Sequence, residues 1–161
     1  MQKHPIKTFL ILFYGWKFYF LIPKNLFDSP YAVVIESADG HLLGARIADD
    51  GQWRFPANDS IPEKFKTCLI AYEDRYFYYH FGINPVAMFE AFQTNQKAGK
   101  IVRGGSTISQ QVVRLARKNP KRTYGEKLVE MLWSLRLELK YSKQDILNFY
   151  ATHAPFGGNV V

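Results

Sequence analysis

Between Tyr72 and Ile83 the chain sets two adjacent carboxylates, Glu73 and Asp74, among aromatic side chains and a histidine, His80. A carboxylate crowded by apolar rings loses hydration, which disfavours its charged form and raises its pKa. Tuned in that way it suits the role of general base near neutral pH. The same pattern also describes a helix end whose acids face water while the rings pack inwards, and the stretch alone does not choose between the two.

A second stretch, Gly104-Gly105-Ser106-Thr107 running into Ile108-Ser109-Gln110-Gln111, reads as a loop that opens a helix, with Ser106 or Thr107 as the N-cap. Such a start offers free backbone N–H groups and a positive dipole end to an anion, and the glycines permit close approach. On the helix, Thr107, Gln111 and Arg114 recur at i, i+4 and i+7 and share a polar face. An ordinary capped helix with a solvated stripe has the same signature.

Together the two stretches resemble the peptidoglycan glycosyltransferases of family fifty-one, the polymerase domain of class A penicillin-binding proteins. Glu73, Asp74, Phe77, His80 and Gly82 match the family's first motif, and Gly104 to Gln111 match its second. Lys127 and Glu130 match the third; Lys143, Ile146, Leu147 and Tyr150 match the fourth. The resemblance covers residues 30–161, and the flanking segments 44–56 and 154–158 look most like the 1C-type subgroup. The sequence departs from the pattern where Glu126 replaces a basic residue and Thr152 an asparagine. It also stops at Val161, before the family's fifth motif and any transpeptidase domain, and so reads as an N-terminal fragment. On that reading the apolar faces of its last helices are partly uncovered, which favours poor stability and little polymerase activity.

The resemblance implies a lysozyme-like fold and a reaction on lipid-linked disaccharide-peptide. A sugar hydroxyl attacks the anomeric carbon of the donor, which is the growing chain, and undecaprenyl diphosphate leaves with inversion. The implied catalytic residues are Glu73, as general base, and Glu130, which orients the donor site. The implied substrate-binding residues are Asp74, Phe77, His80, Ser106, Thr107, Gln111, Arg114 and Lys127. The leaving group is a good one and calls for cations rather than an acid. Arg114 and Lys127 are available for this, with Arg103 and Lys118 in support. A divalent cation, Mg or Mn, at Glu130 is compatible with the resemblance; no organic cofactor is expected. His80 by itself reads as a structural hydrogen-bonding residue, since no second histidine stands at ligand spacing. Glu130 by itself would read as part of an exposed helix face.

These residues must be positioned by a chain of 161 residues, enough for one domain and a core. The apolar content of 47% is that of a globular chain, and the net charge of +7 favours an anionic partner. A single cysteine, Cys68, excludes an internal disulfide. The expected fold is mainly α, in three parts: residues 1–24 as a cytoplasmic tip and membrane anchor, 25–57 as a small β-meander, and 58–161 as the glycosyltransferase domain.

The apolar run Thr8 to Ile22 spans ~22 Å as a helix, short of a ~30 Å bilayer core unless Ile6 joins it and Lys7 and Lys24 snorkel at its ends. Lys3 and Lys7 before it, with no cleavage site after it, predict an uncleaved single-pass anchor with its N-terminus inside, against a core or interfacial helix. The resemblance implies the inner (plasma) membrane, with the catalytic part on the outer, periplasmic side. Short strands are predicted at Tyr31–Ser37, Leu42–Ile47 and Gln52–Phe55, joined by Asp39-Gly40 and Asp50-Gly51 turns. Helices follow. The first is capped by Ser60 with Glu63, the second runs from Asn84-Pro85 to Gly99, and the third spans Thr107 to Lys118. The fourth, Tyr124 to Lys140, carries Leu128, Met131, Leu132, Leu135 and Leu139 inward, and the last is capped by Ser142.

Three other classes compete. A lysozyme-like hydrolase shares the fold and a catalytic Glu, but it needs an acid for a poor leaving group and has no use for a row of cations. A nucleic-acid-binding module explains the charge but not the N-terminal apolar run, and no recognition signature accompanies it, so nucleic acid is not an expected partner. A non-catalytic, membrane-anchored remnant docking onto cell-wall synthesis proteins is the third. The expected partners are the lipid-linked precursor, nascent glycan and the membrane.

Overall fold

The computed structural model describes residues 22–55 and 61–156, together with residues 13, 15 and 18. Most of the predicted membrane segment, the capping residue Ser60 and the glycine-rich end after Phe156 lie outside them. Among the described residues no helix is long and apolar enough to cross a membrane.

Strands β1 (Val33–Glu36) and β2 (Leu42–Arg46) form an antiparallel hairpin. Val33 faces Arg46 and Ile35 faces Gly44, and the register shifts between Ile35 and Glu36. The turn uses the left-handed conformation of Gly40 (φ 82°), and the Ser37 hydroxyl accepts from His41 N–H at 3.1 Å. The predicted third strand does not form. Segment 52–55 is held by single backbone bonds, Ala48 N–H to Gln52 O at 3.2 Å and Ala32 N–H to Arg54 O at 2.7 Å. The buried Arg54 guanidinium folds back on Pro30 O (2.7 Å) and Asp50 (2.9 Å). A side chain anchored inward in this way ties the segment down locally without a ladder.

Five helices follow: α1 (Glu63–Glu73), α2 (Pro85–Ala98), α3 (Ile108–Ala116), α4 (Tyr124–Lys140) and α5 (Lys143–His153). Helix α1 begins after Pro62, which supplies no side-chain cap, so the helix starts later than the predicted Ser60 cap. The other starts follow the sequence. Asn84 caps α2, Thr107 caps α3 and Thr123 caps α4, while Ser142 and Asp145 close a capping box on α5. Gly99, at φ 64°, ends α2.

Helix α3 packs against both α4 and α5 and is the centre of the domain. Ile108, Val112 and Val113 on α3, Leu137 on α4, and Ile146 and Leu147 on α5 are fully buried with Phe77 from the turn after α1. One expectation is reversed on α4. Leu128, Leu132 and Leu139, assigned inward from their spacing, are 63%, 51% and 62% exposed, while Glu130, Ser134, Arg136 and Leu137 are buried. Both faces recur at helical spacing. The polar one turns inward because it meets hydrogen-bonding partners there: Lys127 reaches α3, and Glu138 takes Ser109 and Lys143.

Candidate active site

The site is assembled where the end of α1, the start of α3 and the first turns of α4 meet. Asp74 ends α1 and is buried. Its carboxylate accepts the backbone N–H of Ile108 at 3.0 Å and meets His80 Nε2 at 2.9 and 3.0 Å. Thr107 accepts Gln110 N–H and donates to Gly82 O at 2.7 Å. The helix start predicted to be open to a substrate anion is thus occupied by the protein's own carboxylate, which is also where the dipole favours negative charge.

Two glycines let these loops close. A Cβ on Gly82 would lie 2.8 Å from the backbone C and O of Ser134 on α4, and its φ is 74°. A Cβ on Gly105 would lie 2.9 Å from Met88 Cα on α2. Lys143 completes the frame from α5, donating to His80 O (2.8 Å) and Glu138 (2.7 Å) with its ammonium 4.4 Å from the Phe77 ring centre.

On this frame lies a cleft of about 660 Å³. Glu73 and Glu130 both line it, and Gly104 to Thr107 run along its wall. Glu73 is half-buried, while Tyr72, beside it in sequence, is 89% exposed on the same cleft. Its neighbour is instead Gln111 on α3, whose Nε2 donates to Glu73 Oε2 at 2.8 Å. Glu130 is held by Lys127 Nζ at 3.2 Å. The same ammonium donates to Ser106 Oγ (2.8 Å) and Gln110 Oε1 (2.6 Å), so its three protons each have an acceptor. Burial lowers the Lys127 pKa, and Glu130 opposes that shift.

Of the cations on the cleft, Arg103 is paired with Glu90. Among the described residues Arg114 and Arg122 make no ion pair or side-chain hydrogen bond, although both line the cleft. Glu126, where a basic residue was expected, pairs with Arg117. Of the other sequence candidates, Ser106, Thr107, Gln111, Arg114, Lys127 and Asp74 border the cleft. Phe77 is fully buried and His80 lies under Asp74, so both stand behind the wall. Lys118 is exposed outside it.

Sequence reasoning passed over Arg122 and Tyr150. Arg122 precedes the α4 cap and gave no spacing signal. Tyr150 was visible only as a motif position, without a partner. Among the described residues no group of three or more His, Cys, Asp or Glu side chains could hold a metal ion. Glu130, the residue expected to meet a divalent cation, accepts from Lys127 Nζ.

Comparison with known proteins gives this arrangement a context. The family profile described as Transglycosylase matches residues 39–161. Penicillin-binding protein 1C of Escherichia coli (strain K12) is 38% identical over 154 residues, covering 94% of this chain and 20% of that protein. Penicillin-binding protein 1A of Aquifex aeolicus (strain VF5) is 38% identical over 149 residues, covering 86% of the chain and 20% of that protein. Penicillin-binding protein 1A/1B of Bacillus subtilis (strain 168) is 37% identical over 137 residues, covering 84% of the chain and 15% of that protein. The chain therefore spans a fifth or less of the length of these relatives.

Proposed function

Because the chain belongs to the transglycosylase family, we propose that its cleft carries out peptidoglycan glycosyl transfer, joining lipid-linked disaccharide-peptide into glycan strands. The observation that carries this reading is one cleft bearing both a carboxylate, Glu73, and two guanidinium groups without an ion pair or side-chain hydrogen bond among the described residues, Arg114 and Arg122. Glu73 takes the proton of the attacking sugar hydroxyl. The hydroxyl oxygen bonds to the donor's anomeric carbon as the carbon–oxygen bond to the lipid diphosphate breaks, with inversion. Arg114 and Arg122 take up the charge that develops on the departing diphosphate. Lys127, tied to Ser106, Gln110 and Glu130, fixes the wall between the loop and α4 and adds positive charge to it.

A glycan hydrolase would instead need a proton donor for a poor sugar leaving group; guanidinium groups suit a diphosphate. In this reading the helical part is a lysozyme-like lobe, residues 58–161, carried by an N-terminal anchor and placed on the outer face of the plasma membrane. Its lipid-linked precursor, nascent glycan and cell-wall synthesis partners meet it there. The test compares a complete version of the protein with its Glu73→Gln variant on lipid-linked disaccharide substrate. Polymerisation is expected to disappear while substrate still binds, because the amide keeps the shape but cannot take the proton. Unchanged polymerisation would remove Glu73 from the reaction.

A further inference from the structure

Glu73 is an acceptor-only group when ionised, so the Gln111 amide facing it must present its NH2 end. The other end of that amide then has to find a donor, and the one it meets is the Tyr150 hydroxyl, 3.3 Å from Gln111 Oε1. Tyr150 comes from α5, Gln111 from α3 and Glu73 from the end of α1. The chain of contacts therefore crosses the core and ties together the three elements that meet beneath the cleft.

We propose that Tyr150 is a positioning residue for the Glu73 base. Its hydroxyl locks the orientation of the Gln111 amide, which holds Glu73 Oε2, and also lies against the Glu73 carboxylate itself. The role in catalysis rests on the function proposed above; the coupling itself does not.

Three features fit Tyr150 for this. It is buried, and its ring lies edge-on to Phe156, 6.2 Å between centres. Its helix is immobilised by the Ser142–Asp145 capping box and by the fully buried Ile146 and Leu147. Its hydroxyl also stays a donor: burial, then the charge of Glu73 and the hydroxyl's hydrogen bond to that carboxylate, push the phenol pKa upwards, against a weaker opposing effect of Arg114. The groups facing Glu73 are accordingly Gln111 and Arg114 from α3 and Tyr150 from α5, beside Asp74 and Arg75 from its own strand of chain.

Tyr150→Phe keeps the ring and removes the lock. With the Glu73 carboxyl carbon labelled, its NMR titration midpoint should move to higher pH in Tyr150→Phe. A carboxylate that loses a well-aimed donor holds its proton more readily. Gln111→Ala should produce a shift in the same direction, and the double variant less than the sum of the two, because hydroxyl and amide act on the carboxylate as one network. In the polymerisation assay kcat should fall on the order of 10-fold with KM little changed, and the acidic limb of the kcat profile should shift in the same direction. A merely structural Tyr150 would lower the melting temperature and the active fraction and leave both the titration and the limb in place. An unmoved Glu73 midpoint in Tyr150→Phe, or additive shifts in the double variant, overturns the proposal. A shifted midpoint together with full polymerisation by Glu73→Gln would instead sink the proposed function and leave the coupling standing.

Discussion

Asp74 and Arg114 show how differently two charged residues on one cleft can be employed. Asp74 is saturated by protein partners, Ile108 N–H and His80, whereas Arg114 has none among the described residues. Asp74→Ala should therefore act first on folding. It strands a buried N–H and a buried imidazole, each costing about 1–3 kcal/mol, and a urea titration should show the loss. A variant with unchanged stability but weakened substrate binding would return Asp74 to the substrate. Arg114→Ala should do the reverse, leaving the urea midpoint in place and weakening donor-side binding. A lost charged hydrogen bond to phosphate is worth roughly 1.5–3 kcal/mol, and the deficit should grow at low ionic strength. Equal donor affinity of parent and variant at every salt concentration would return Arg114 to a solvated face. In sequence the two residues looked alike, as charged candidates for substrate binding. What separates them is which partners folding brings within reach, and that depends on contacts between residues far apart in the chain.

At the scale of elements, most boundaries were legible because they are local chemistry. Asn84-Pro85, Thr107, Thr123 and Ser142 open helices by satisfying N–H groups a few residues ahead. The inward face of α4 was not legible, since its leucines and its Glu130–Ser134–Leu137 stripe both recur at helical spacing. The choice lies with the neighbours, above all with the loop at Gly82 that presses on Ser134. Gly82→Ala meets backbone on both sides of the clash, together with a left-handed φ. Left-handed strain costs about 1–2 kcal/mol and overpacking typically another ~1–3 kcal/mol. Gly99→Ala has a similar φ but open space around it, so only the first cost applies. Thermal or urea unfolding of the two variants should rank Gly82→Ala well below Gly99→Ala. Equal losses would mean that the loop gives way, and that its approach to α4 does not set the face α4 turns inward.

The molecule as a whole is joined at a place that no motif marked. At the end of α5, His153 stacks on Phe27 with 3.6 Å between ring centres, and Tyr31 meets it edge-on. The Arg54 guanidinium of the hairpin segment, paired with Asp50, lies near enough to act on it by charge. The segment before β1, the hairpin module and the helical lobe thus share one small cluster. Such pairing over long sequence separation leaves no periodic signal to read.

A histidine in the last turn of a helix is ordinarily favoured as the cation. Here burial, assisted by Arg54, outweighs both the dipole and the Phe149 carbonyl that Nδ1 meets at 3.1 Å, and the pKa falls to about 4. The unfolded chain, at about 6.5, then binds a proton that the folded chain refuses throughout the interval between the two values. The stabilisation is accordingly complete above about pH 6.5, declines as the pH drops, and is gone below about pH 4, at most about 3 kcal/mol in all. His153→Gln keeps a hydrogen-bonding side chain and removes the titration. Urea midpoints measured from pH 7 to pH 4 should fall more steeply for the parent than for this variant, with the difference concentrated below pH 6.5. Parallel pH dependences would mean that the cluster tolerates a charged imidazole. The joint between hairpin and lobe would then not be held by keeping His153 neutral.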